Sequence, residues 1–99
     1  MEPGNSLKIE SLNEEWRDKD SVMLHACFQL LKDTVEKEKL FEIIDWDADE
    51  KTRSTKQEIT ELYNWWLTYN EDLVPEPEEI SEQNRMLHRL IDVRWALWT

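Results

Sequence analysis

DSVMLHACFQLLKDTVEKEKL, residues 20–40, decides the fold class. Met23, Leu24, Cys27, Phe28, Leu30, Leu31 and Val35 return at three- and four-residue steps, the spacing that lays side chains along one flank of an α-helix. Asp20 or Ser21 suits its N-terminal cap, and the alternating Lys and Glu of VEKEKL finish it on the solvent side. The pattern predicts helix one over 20–39.

Two further segments repeat the signal. Ile59, Leu62, Tyr63, Trp66 and Tyr69 predict helix two over 54–70, with caps available from Thr52 to Thr55. Leu87, Leu90, Ile91, Leu97 and Trp98 mark the buried side of helix three over 79–98, capped by Ser81 or an adjacent acid. Between helices one and two, Leu40, Phe41, Ile43, Ile44 and Trp46 are interleaved with Asp45, Asp47 and Asp49, which suits a packed turn better than a helix. Pro75 and Pro77 end any helix before the third, so NEDLVPEPEEISE reads as a solvated linker. Residues 1–18 read as an arm that docks by Leu12 and Trp16. The expectation is an all-α chain: a compact bundle of three main helices in a single domain (19–99), with an N-terminal arm (1–18) and a packed loop between helices one and two.

Composition narrows the function classes. One glycine in 99 residues argues against an all-β fold, whose turns need several, and nearly excludes a backbone cradle for phosphate. A formal net charge of -11 repels nucleic-acid phosphates, so no direct nucleic-acid partner is expected. No apolar run approaches the roughly 18–20 residues of a membrane span, and MEPGNSLKIESLNEEW lacks the apolar stretch of a signal peptide. The single cysteine, Cys27, has no internal partner, which suits a reducing cytoplasm, and between Ala26 and Phe28 it reads as a small core residue.

The candidate chemistry is sparse. Met23-Leu24-His25 is echoed by Met86-Leu87-His88, so packing of helices one and three would bring the two histidines together, with Asp92 one turn beyond His88. The plainer reading is two boundary histidines bonded to carboxylates or carbonyls, and no metal or other cofactor is expected. Glu58 and Glu61 form the E-x-x-E half of the magnesium motif of all-α nucleotide pyrophosphohydrolases, but Arg89 precedes Asp92 where the second half needs an acid. Glycine-rich and nucleophile motifs are absent, and no catalytic residue is assigned. Residues 83–99 carry Arg85, Arg89 and Arg94 against Asp92, a charge of +2 that leaves -13 on the rest. Arg85 and Arg89, one turn apart, form with His25 and His88 an anionic-ligand candidate on which Trp95 could stack a base. The competing reading, that these arginines answer the chain's own acids, is preferred. Trp66 and Trp98 fit the core, whereas Trp65 and Trp95 fall at its margin, where exposure would make a partner surface or a homo-oligomer contact.

Three segments together, DSVMLHACFQLLKDTVEKEK (20–39), EITELYNWW (58–66) and MLHRLIDVRWALWT (86–99), resemble a group of small proteins of unknown function encoded by tailed bacteriophages. The resemblance implies action in the cytoplasm of an infected bacterium and carries no catalytic residues. The leading expectation is therefore a non-enzymatic accessory protein that acts by binding a host protein, with inhibition of a defence or nucleic-acid enzyme as its candidate role. Its contact residues would be Trp65, Trp95 and the acidic Glu76, Glu78 and Glu79, with Glu71, Asp72 and Glu82 alongside. A nucleotide-binding protein or metal-dependent nucleotide hydrolase is the alternative, and a minor virion component the third.

Overall fold

A computed structural model describes residues 7–12, 19–43, 45–69 and 76–97 of the chain. It is an all-α bundle. The elements are α1 (Lys19–Glu36), a single-turn α2 (Leu40–Ile43), α3 (Glu50–Thr68), α4 (Pro77–Val93) and a closing 3-10 turn (Arg94–Leu97). Among the described residues there is no strand, and no helix is long and apolar enough to cross a membrane.

The core forms where three apolar stripes converge. Leu24, Phe28 and Leu31 come from α1, Ile59, Leu62 and Trp66 from α3, and Met86, Leu90 and Val93 from α4, all buried. Phe28 stacks on Trp66 with ring centroids 5.1 Å apart, and Trp66 stacks on Tyr69 at 5.6 Å. Offset aromatic pairs of this kind add to the area they bury. The three helices touch one another pairwise.

The loop between α1 and α3 is packed, as the interleaved apolar residues predict. Leu40 is fully buried, Trp46 is 4% exposed, and the Trp46 indole Nε1 donates to the Leu40 carbonyl at 3.3 Å. The boundaries differ from those expected. α1 stops at Glu36 because Lys39 takes a left-handed conformation, φ 56°, and redirects the chain into α2. α3 starts four residues early, at Glu50, since Asp49 is its cap: the Asp49 carboxylate accepts from the Thr52 backbone N–H and hydroxyl, each at 2.7 Å. α4 starts at Pro77 and not after it, the first helical turn being the one place where a missing N–H costs nothing.

Three residues assigned to apolar stripes are not in the core. Met23, Leu30 and Ile91 are 59%, 50% and 57% exposed. The stripe read on 20–40 was wider than one helix face, and only its inner half is covered. The arm does dock, but residues 7–12 do so chiefly by polar contacts. The Glu10 N–H donates to the Gln29 amide oxygen at 3.0 Å, and the Ser11 hydroxyl lies 2.7 Å from His25 Nδ1. Leu12 is half-buried, while the Trp16 and Trp98 assignments fall outside the described residues.

Candidate functional site

The E-x-x-E pair and the arginine strip meet. α3 presents Glu58 and Glu61 on one face, and Arg89 of α4 reaches across with its guanidinium fork. Arg89 Nε pairs with Glu58 Oε1, and Nη2 pairs with Glu61 Oε1 at 2.9 Å. The Arg89 guanidinium, with a smaller contribution from Gln57, holds the Glu61 carboxyl below the usual carboxylate range. Glu58 in turn pushes Arg89 up. These are the partners that the charge asymmetry of residues 83–99 called for, and a fork spent on two carboxylates is not presented to an outside anion. Arg85 and Arg94 are exposed.

Beside this clamp, Lys51, Ser54, Thr55, Glu58, Arg89, Asp92 and Val93 line an open cleft of about 370 Å³ between α3 and α4. Trp95 stands near its mouth, 46% exposed, with Lys51 Nζ 4.7 Å from the ring centroid. Glu58 and Asp92 thus share a cleft, as a hydrolase would need, but Arg89 occupies the space between the helices that a cation would take.

The two histidines occupy different environments. His25 is 5% exposed, edge-on to Trp66 at 4.8 Å and covered by Ser11 of the arm. His88 is exposed on α4. Among the described residues no three His, Cys, Asp or Glu side chains form a group able to hold a metal, so His25, His88 and Asp92 do not make one. The anionic-ligand quartet is likewise dispersed: His25 is buried, Arg89 is paired, and Arg85 and His88 face solvent. Cys27 is half-buried at the edge of the core, and burial pushes its thiol up, away from the reactive thiolate.

The tryptophans at the margin divide. Trp65 is half-buried, its ring 5.2 Å from Phe28 and 4.8 Å from Tyr69, and its Nε1 donates to Glu82 Oε1 at 2.6 Å. It braces α3 against α4 and forms no exposed patch with Trp95, which corrects the expected pairing. Glu76 and Glu78 are exposed, whereas Glu79 is half-buried and accepts from the Tyr69 hydroxyl at 3.2 Å. Glu71 and Asp72 lie outside the described residues. Trp95 and Glu76 stand beyond opposite ends of α4, which at ~1.5 Å per residue is roughly 25 Å long. The exposed apolar side chains of α1 and α4 were missed, although the excessive width of the stripe in residues 20–40 was a legible sign of them. No protein-family model, no curated protein and no solved structure matches the chain.

Proposed function

We propose that this chain is a non-enzymatic phage accessory protein that acts by binding a host protein in the cytoplasm of the infected bacterium. The observation that carries the binding surface is Trp95: a tryptophan 46% exposed on the closing turn, with Lys51 Nζ over its ring. Half-exposed tryptophan is costly for a lone molecule and is the residue type most enriched at the energetic centres of interfaces. The phage setting rests on the resemblance of the segments 20–39, 58–66 and 86–99. The absence of nucleophile and glycine-rich motifs favours binding over catalysis.

Affinity capture from a bacterial lysate tests the reading. A stoichiometric partner is expected with the wild type and is lost with Trp95→Ala, a change at an exposed position that leaves the core intact. No such partner, or equal capture by both proteins, refutes it. The competing reading puts a nucleotide in the cleft beside Lys51 and Trp95. A ligand at 100 times its Kd adds roughly 2.7 kcal/mol of stability, so thermal denaturation with nucleotides and magnesium separates the two.

A further inference from the structure

We infer that the face formed by α1 and α4 on the side away from α3 is a self-association surface, and that its occupant is a second copy of this chain. The side chains that turn α1 toward α3 are His25, Phe28 and Glu36, which meet Trp66, Trp65 and Tyr63. On α4 they are Glu82 and Arg89, which meet Trp65 and the Glu58–Glu61 pair. At 100° per residue, Met23 and Leu30 lie roughly 150–170° round α1 from its α3-facing direction, and Ile80 and Ile91 lie roughly 170° round α4. Since α1, α3 and α4 are in mutual contact, these four side chains stand on one face, on either side of the α1–α4 seam. They are 59%, 50%, 43% and 57% exposed, and the seam between them is floored by the half-buried Cys27 and Leu87.

Charge selects the occupant. The α1 positions of this face are Met23, Ala26, Cys27 and Leu30, with Lys19 in the first turn the one charge among them and the buried Thr34 at its far end. The α4 positions are Ile80, Asn84, Leu87, His88 and Ile91, without an acid, lysine or arginine. Nine uncharged positions beside one lysine, in a chain whose residues are 35% charged, define a window without acids in an otherwise acidic molecule. Two copies of net charge -11 repel in any orientation, and least where they meet through such a window, which keeps their acids apart. A basic partner would instead favour the acidic α3 and linker surfaces. The size agrees. The molecule is 19 Å through its thinnest dimension, about two helix layers. Two helices about 25 Å long and 10 Å wide project about 500 Å², close to what is needed for the ~800 Å² of accessible surface per partner in a standard interface. Apposing two such faces makes a four-helix contact with apolar steps of seven (Met23, Leu30) and eleven (Ile80, Ile91) residues, the spacings of helix–helix seams.

Sedimentation equilibrium across protein concentrations tests this independently of the Trp95 surface. The wild type is expected to move reversibly from the 12.1 kDa of one chain to twice that mass. Added salt is expected to favour the dimer, because screening removes the repulsion between acidic copies. The double variant Leu30→Glu, Ile91→Glu changes only exposed positions, keeps its helical circular-dichroism spectrum, and stays at the mass of one chain. Leu67→Glu alters an equally exposed leucine (51%) on α3 and still dimerises. A wild type that remains a single chain at every concentration overturns the inference, including the case in which this face serves a different protein. A dimer that survives the double variant, is abolished by Leu67→Glu, or dissociates as salt is added also overturns it.

Discussion

Gln29 shows how single residues tie the arm to the bundle. It is fully buried, and a buried amide is costly unless every polar atom is used. Here the oxygen accepts from the Glu10 N–H at 3.0 Å and Nε2 donates to Asp33 Oδ1 at 2.8 Å. One turn to either side on α1, His25 meets Ser11 and Lys32 pairs with Glu10 at 2.8 Å, so the arm lies on polar positions 25, 29 and 32. The Lys32 ammonium holds the Glu10 carboxyl below its ordinary value. Replacing Gln29 with leucine keeps the volume but leaves the Glu10 amide without its acceptor. The expected cost is about 1 kcal/mol in urea unfolding, since the released amide regains water. Amide exchange at Glu10 should also rise toward that of an open chain; unchanged protection there would show that Gln29 is not the anchor.

At the scale of elements, the caps decide where helices begin, and Asp49 is the clearest case. Its carboxylate takes both the backbone N–H and the hydroxyl of Thr52, and those two bonds keep the carboxyl below its ordinary value. In urea unfolding Asp49→Ala is expected to destabilise the protein, and Asp49→Asn by appreciably less because the amide oxygen still accepts. Equal losses in the two variants would mean that the cap is not what holds the start of α3. The three helices were legible because Ile59, Leu62 and Trp66, or Leu87 and Leu90, fall on a 3.6-residue period that nothing else produces. Their ends were less so. Lys39 turns the chain with φ 56° where glycine would have announced the turn, and Pro77 opens a helix in a stretch whose prolines suggested only interruption. Periodicity also reports that a face is apolar without saying whether anything covers it. Met23, Leu30 and Ile91 therefore looked like core and are surface. The partners of Arg89 were legible as a charge imbalance, but their identity needed the packing of α3 on α4, 28 and 31 residues apart in the chain.

For the whole molecule, the governing quantity is the imbalance of -13 on residues 1–82 against +2 on residues 83–99. Arg89 is where the two charge populations touch, so its removal acts twice: it opens the clamp on Glu58 and Glu61, and it takes the net charge from -11 to -12. Arg89→Ala is expected to cost about 1 kcal/mol at pH 7 and moderate ionic strength, the upper range for a partly exposed ion pair. The cost should be larger at low salt, where self-repulsion reaches farther. Its pH dependence has a definite sign. Glu61 has a folded value below its ordinary 4.5, so the folded protein binds fewer protons than the unfolded chain as pH falls through that interval. The stabilisation is complete above pH 4.5 and is lost as pH falls through the folded value. The gap between wild type and Arg89→Ala should therefore be constant from neutrality down to about pH 5 and narrow below about pH 4, as Glu61 protonates and the acids cease to repel. Urea unfolding of the two proteins at pH 7 and at pH 3.5, in low and moderate salt, reads it directly. A gap unchanged at acid pH would assign the contribution of Arg89 to its packing against Met86, whose sulfur lies 3.6 Å from Nη1, and not to its charge.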